Sequence, residues 1–275
     1  MINASIVIYK NSKEDLHTVI NCTSNSNVKF IYIIDNSPTD KLREFASGLS
    51  SKIIYMHGQG NVGYGAAHNI AIKESIKQGA KYHLVLNPDI AFEKGTIEKL
   101  VKFMNNHQDI GLVMPKVLYP NGDIQYLCKL LPTPADLIFR RFLFFMPRAK
   151  KREKIYELQD IDYSQVHFGV PSLSGCFMLL RADVLKKIGI FDDRYFMYLE
   201  DYDLCRRIHA VSQTAFYPIV SVIHHYEKGS YSNFRLLFFH ICSAIKYFNK
   251  WGWFFDKGRG YLNNQILNEC LRHKS

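Results

Sequence analysis

A chain of 275 residues, 47% hydrophobic and 22% charged, is long enough to bury a sizeable core, which excludes a disordered chain, a collagen-like repeat and a small disulfide scaffold. Six scattered cysteines with no C-x-x-C pair argue against a disulfide framework or a cysteine-rich zinc site and for a reducing compartment. The net charge of +10 is unevenly placed: residues 140–154 (RRFLFFMPRAKKREK) and residues 228–275 each carry a surplus of six positive charges, and the remainder is slightly acidic.

The opening MINASIVIYKNS has a short apolar run followed by charge, so it does not read as a secretory signal. Residues 4–9 are predicted as a strand. Ser12 with Asp15 three residues on forms a capping box that opens a helix to about Asn25. Residues 30–34 (FIYII) are a buried strand ending in the turn Asp35-Asn36-Ser37-Pro38, and residues 52–56 are a third strand. A glycine-rich loop over residues 58–65 leads to a helix over 66–78. Another buried strand, residues 82–86, ends at Asn87-Pro88-Asp89. A helix over 96–106 and a strand over 111–114 follow. Continuous apolar strands alternating with helices predict an α/β fold, a mostly parallel central sheet flanked by helices. Such sheets bind ligands outside the carboxyl ends of their strands, where Asp35, the glycine loop and the Asn87–Asp89 turn all fall.

Residues 119–168 read as a long excursion over that rim. A strand is then expected over 173–181 and a short helix over 182–188. Glu200-Asp201-Tyr202-Asp203 opens a helix with Leu204, Ile208 and Val211 on one face. Two short strands, 214–217 and 220–223, end at His224-His225. The tail is helical from Ser232, with Gly252, Gly258 and Gly260 interrupting it. No run of 18 apolar residues is free of charge, so no membrane span is expected. The two basic segments also carry bulky apolar residues, Phe142, Phe144 and Phe145 in one and Leu236, Leu237, Phe238, Phe239, Trp251, Trp253, Phe254 and Phe255 in the other. That mixture suits an anionic lipid surface, and equally a solvated face over a core helix. It matches no nucleic-acid-binding motif, so no nucleic-acid partner is expected.

Three clusters carry chemistry. Asn87-Pro88-Asp89 puts a carboxylate at a strand end, where it can ligate Mg²⁺ or Mn²⁺ or simply make a turn. Glu200, Asp201 and Asp203 exceed what capping alone needs, and a carboxylate at a helix start suits a general base. Arg206 and Arg207, one turn on, are placed to pair with those carboxylates or with phosphate. His224 or His225 can ligate a metal, contact phosphate, or serve structure only. The glycine loop is neither a dinucleotide fingerprint after the first strand nor a Walker A motif.

Taken in order, SIVIYKNS, IYIIDNSPTD, GNVGYGAAHNIAI, YHLVLNPDI, LSGCFMLLRADVLKKIGIFDDRYFMYLEDYDLCRRI and HHYEKGS resemble the inverting nucleotide-sugar glycosyltransferases of family 2, over about residues 3–250. The likeness is strongest to the rhamnosyltransferase-like branch of bacterial surface polysaccharide assembly. It implies a GT-A type α/β fold in residues 1–227, with a nucleotide-sugar-binding half (1–118), an acceptor and catalytic half (119–227), and a basic helical C-terminal extension (228–275). It implies that Asp35, Asn61, Gly63, Asn69, Asn87 and Asp89 bind the nucleotide-sugar donor. Asp89 and His224 would hold Mg²⁺ or Mn²⁺, although Asn87 replaces the first aspartate of the family's D-x-D. Gly175 and Glu200 would border the acceptor, and Asp201 would be the general base. The implied acceptor is a glycan, often lipid-linked, and the implied location is the cytoplasmic face of the membrane. A nucleotidyltransferase is disfavoured because YKNSKED stands where its glycine-rich loop belongs. A non-catalytic or degenerate nucleotide-sugar-binding protein at the membrane surface stays as the other alternative.

Overall fold

A computed structural model describes residues 1–142, 146–225 and 234–272; Phe144 and Phe145, Ser232 and the YEKGS part of the last motif lie outside these residues. Four short apolar runs, Ile2–Ile8 (β1), Phe30–Asp35 (β2), Ile53–His57 (β3) and Tyr82–Leu86 (β4), pair in parallel in the order β3-β2-β1-β4. Helices Lys13–Ser24 (α1), Arg43–Leu49 (α2) and Tyr64–Lys77 (α3) connect them. All of β1 and β4 is buried, which requires cover on both faces and explains their unbroken hydrophobicity. The capping box forms: Asp15 N–H donates to Ser12 Oγ at 3.1 Å, and Ser12 N–H to Asp15 Oδ2 at 3.4 Å.

The sheet has nine strands and continues from β4 through Phe177–Arg181 (β10), Ile110–Leu118 (β6), Gln213–His224 (β11) and Ile90–Phe92 (β5), with His167–Phe168 (β8) also on β11. β10 runs antiparallel between β4 and β6, while β6 and β11 are parallel. Helix Thr96–Asn106 (α4) buries Ile97, Leu100, Phe103 and Met104, a helical spacing that turns one stripe to the core. Ala182–Ile188 (α7) and Glu200–Ile208 (α8) follow β10.

Several boundaries differ from the sequence reading. The strand expected over 111–114 runs the full length of β6. The strands expected over 214–217 and 220–223 are one, β11, with a register shift between Tyr217 and Ser221. Pro218 cannot donate to a ladder, and the bulge absorbs it. The strand expected over 173–181 is two: Ser172–Leu173 (β9) pairs with Cys128–Lys129 (β7) in a separate two-stranded sheet, and Ser174-Gly175-Cys176 turns the chain into β10. α8 ends at Ile208, so Val211 lies beyond it, 51% exposed, and not on its apolar face. The excursion also holds two helices, Pro134–Phe142 (α5) and Pro147–Tyr156 (α6).

The C-terminal segment forms Phe234–Trp251 (α9) and Lys257–Arg272 (α10). Gly252 breaks it, at φ +103°, but Gly258 and Gly260 sit inside α10. These helices join the main core through Tyr247, Phe248 and Ile266. Asn263 clasps the main chain of Leu131 with both ends of its amide, at 2.8 and 3.0 Å. Among the described residues, no helix is long and apolar enough to cross a membrane.

Candidate active site

Parallel register puts Asp35 beside Ile8 and His57, so the ends of β1, β2 and β3 form one rim. Asp35 is buried there; its Oδ1 accepts from Ser37 N–H at 2.8 Å and its Oδ2 from the Tyr55 hydroxyl. Burial, then Asp35 itself, pushes the Tyr55 hydroxyl above its ordinary value, so it remains a donor. Gln59 Nε2 donates to the Asp35 carbonyl at 2.8 Å, and Asn36 Nδ2 to the Gly63 carbonyl at 3.1 Å. Asn61 is exposed, and its Oδ1 lies 3.4 Å from Gly63 N. Gly63 has φ +91°, and a Cβ there would sit 2.3 Å from the Phe196 carbonyl oxygen, to which Tyr64 N–H donates at 2.9 Å. Only glycine permits that approach. Asn69 is engaged differently, since its amide donates to the Phe191 carbonyl at 2.8 Å and accepts from Phe191 N–H at 3.0 Å. It ties α3 to the loop before α8, and both ends of its amide are spent there.

Asn87 and Asp89 follow β4, and His224 closes β11 alongside β5. The fold brings His224 Nε2 to 3.3 Å from Asp89 Oδ1 and 3.3 Å from Asn87 Nδ2. His225 is exposed and gives its main-chain N–H to the Asp89 carbonyl, at 3.0 Å. Asp89 Oδ1 is buried and accepts no hydrogen bond among the described residues. Adjacent donors around an octahedral cation at about 2.1 Å stand about 3.0 Å apart, so this oxygen–nitrogen pair fits two neighbouring positions of such a shell. Among the described residues no three His, Cys, Asp or Glu side chains gather for a metal, so the protein would supply part of the shell and the ligand the rest.

The Tyr64 hydroxyl lies 2.9 Å from Asn87 Oδ1 and 2.8 Å from the Gly175 carbonyl, joining this pair to the β9–β10 turn. Across that turn stands α8. Tyr198 and Leu199 precede it with φ of +71° and +66°, an unusual pair for non-glycine residues, and they swing the first turn of α8 into the cleft. Asp201 Oδ1 accepts from Tyr202 N–H at 2.9 Å and Oδ2 from Gly175 N–H at 3.2 Å. Burial raises its pKa above the ordinary value, and those two N–H groups offset part of the rise. Glu200 is more deeply buried, its Oε2 has no hydrogen-bond partner among the described residues, and burial followed by the charge of Asp201 raises its pKa too. Glu200 and Asp201 both line one cleft of about 1360 Å³.

Asp203 does not reach the cleft. It is fully buried and bound by Arg207 at 2.8 Å, Lys250 at 2.6 Å and the Trp251 indole N–H at 2.8 Å. Arg206 grips Asp256 through two bonds of 2.6 and 2.7 Å and stacks on Trp251. Neither arginine is placed for phosphate. The cleft is also lined by Tyr64, Gln125, Lys129, Tyr156, Leu236 and His240, which sequence reasoning did not select. Tyr64 stands inside a quoted motif; Gln125 and Lys129 belong to the excursion, where no pattern marked them.

A family model described as Glycosyl transferase family 2 matches residues 5–189. The chain belongs to glycosyl transferase family 2. This family 2 chain is 28% identical over 203 residues to the low-salt glycan biosynthesis hexosyltransferase Agl10 of Haloferax volcanii, covering 74% of itself and 59% of that relative. It is 26% identical over 205 residues to the N-acetylglucosaminyl-diphospho-decaprenol L-rhamnosyltransferase of Mycobacterium tuberculosis, covering 71% of itself and 66% of the relative. It thus spans under two thirds of both. Rhamnosyltransferase WbbL of Escherichia coli is 26% identical over 224 residues, 79% of this chain and 81% of WbbL. Among solved structures, GalNAc-T7 with UDP, GalNAc and Mn²⁺ superposes with a TM-score of 0.60 at 16% identity, over 82% of this chain and 43% of the other. The mannosyltransferase PcManGT of Pyrobaculum calidifontis, with GDP-Man and Mn²⁺, gives 0.56 at 13% identity, over 89% and 64%. At such identities the likeness shows the fold, which is GT-A.

Proposed function

We propose that this family 2 chain is an inverting glycosyltransferase that moves a sugar from a nucleoside-diphosphate donor to a hydroxyl of a lipid-linked glycan in surface polysaccharide synthesis. The observation that carries the reading is the convergence of Asp201 with Asn87 and His224 on one cleft. In this reading Asp35 holds the base or ribose, at the neighbouring strand ends, with Asn61 and Gly63 shaping that pocket. Asp89 and His224 would hold Mg²⁺ or Mn²⁺, whose positive charge would serve to offset that of the diphosphate. Asp201 takes the proton from the acceptor hydroxyl, whose oxygen attacks the anomeric carbon from the face opposite the diphosphate. Its raised pKa suits a base working near neutrality. Glu200 and Gly175 border the acceptor. Lipid-linked acceptors fit the diphospho-decaprenol named for the mycobacterial relative.

Asp201→Asn keeps the shape and removes the basicity. It should lower turnover by roughly 10²-fold or more while nucleotide affinity stays near wild type. The assay is release of nucleoside diphosphate, after a thermal-shift screen of nucleotide sugars has found the donor. Near-normal turnover in Asp201→Asn with loss in Glu200→Gln would move the base to Glu200.

The same reading puts the enzyme at the inner face of the membrane. On α9, Phe234, Phe238, Ile241 and Ile245 are 88%, 61%, 45% and 44% exposed, at spacings that make one stripe. Leu236, Leu237 and His240, on the inward side, line the cleft. Phe254 and Phe255 are 80% and 98% exposed beyond the helix, and no acidic residue occurs from Phe234 to Phe255. An apolar stripe free of acid beside the acceptor cleft supports docking on anionic lipid.

A further inference from the structure

Gln125 lies in the excursion, outside every motif that marked the donor site. Its position comes from a tight reversal just after β6. Gly122 N–H donates to the Tyr119 carbonyl at 2.9 Å and Tyr119 N–H to the Asp123 carbonyl at 2.8 Å, which folds residues 119–123 back. Gln125 N–H then bonds the Val117 carbonyl at 2.9 Å. The side chain is 4% exposed and turned to His224, whose strand runs beside β6 with Ile223 opposite Leu118.

The two ends of this amide cannot be exchanged. Nε2 lies 2.8 Å from the His224 carbonyl and 3.4 Å from the Leu118 carbonyl, and carbonyl oxygens only accept. The amide nitrogen must therefore face them, and Oε1 faces the ring of His224, 2.9 Å from Nδ1. An amide oxygen also only accepts, so Nδ1 carries the hydrogen and donates. In the neutral ring Nε2 then keeps its lone pair. It directs that pair to the place where Asp89 Oδ1 waits at 3.3 Å without a hydrogen bond among the described residues. Two electron-rich atoms so close are relieved by a cation between them, or by a second ring proton that makes the contact an ion pair.

We infer that Gln125 is a positioning residue for the metal: it fixes the Nδ1–H tautomer of His224 and presents Nε2, with Asp89, to a divalent cation. The inference rests on the proposed metal role of Asp89 and His224 and adds the residue that sets it. A hydrogen bond to the far nitrogen of a ligating histidine fixes both tautomer and ring orientation, and losing such a partner commonly costs about 10–100-fold in metal affinity.

The test uses Mn²⁺ alone as probe and the full chain. Nitrogen-15 spectra of the histidine rings, taken at about pH 8, above the ordinary imidazole range, should show His224 as the Nδ1–H form. Substoichiometric Mn²⁺ should broaden its Nε2 signal first. Gln125→Leu should lose the single tautomer and raise the Mn²⁺ dissociation constant, read from the paramagnetic resonance of free Mn²⁺, by about tenfold or more. Equal melting temperatures of wild type and Gln125→Leu would separate this from a folding defect. An Nε2–H ring in the wild type, or a Gln125→Leu variant that binds Mn²⁺ as tightly as wild type, overturns the inference alone. If wild type binds Mn²⁺ but His224 Nε2 is not broadened, the inference falls and the metal belongs elsewhere. If wild type binds no Mn²⁺, the metal reading falls first and takes Gln125's role with it.

Discussion

Asp201 and Glu200 are neighbours in the chain and in the cleft, and burial acts on both in the same direction. A carboxyl group whose pKa rises on folding favours the protonated form in the folded state. Its contribution to stability is full below the unfolded value and drains away as pH climbs through the folded one. For Glu200 that window runs from its ordinary 4.5 to about 8. The ligand-free protein should therefore melt at lower temperature at pH 8 than at pH 5.5, and Glu200→Gln should flatten that slope. Melting curves taken at half-unit steps of pH test this; parallel slopes in the two proteins would remove Glu200 as the cause. For catalysis, the same burial gives the cleft a base whose strength lies nearer neutrality than an exposed aspartate's.

One element, α8, carries the proposed base, and its far side is bound to the C-terminal helices. Asp203 meets Lys250 and Trp251, and Arg206 meets Asp256, with the Arg206 and Asp256 side chains only 5% and 3% exposed. Removing one partner of such a pair strands the other charge in the core. Asp256→Ala should cost about 3–5 kcal/mol, lowering the melting temperature by roughly 2–4 °C for each. A calorimetric scan that finds the variant within a degree of wild type would deny the pair that weight. Sequence reasoning could see half of this arrangement. The i, i+4 spacing of Asp203 and Arg207 was legible, as were the capping box of α1 and the strand ends bearing Asp35 and Asn87, because these depend on near neighbours. The partner of Arg206 was not, since Asp256 stands 50 residues away. Glycine misled for a related reason: Gly258 reads as a break, but a Cβ there would lie 3.1 Å from Arg206 Nη2, so it marks close packing around that ion pair. Pro218 misled in the opposite way, suggesting two strands where a bulge keeps one whole.

The proposed lipid-facing stripe of α9 predicts sedimentation with anionic vesicles and little with neutral ones. Raising salt should weaken it as the screening length shrinks from about 10 Å at 0.1 M to about 3 Å at 1 M. Equal recovery on both vesicle types would leave the stripe without an electrostatic partner. The bond between Arg206 and Asp256 has a further consequence, in time. A ribosome adding roughly 5–20 residues per second needs about 3–10 s to pass from the one to the other. Throughout that interval the helix bearing the proposed base has been made, yet Arg206 lacks its carboxylate, and Asp203, paired with Arg207, awaits Lys250 for most of it. Among the described residues, strands β1 to β4, proposed to hold the nucleotide, pair with one another or with β10 and with no later strand. The half proposed to grip the donor can thus settle during synthesis, and the half proposed to perform the chemistry is completed only when the last helices arrive.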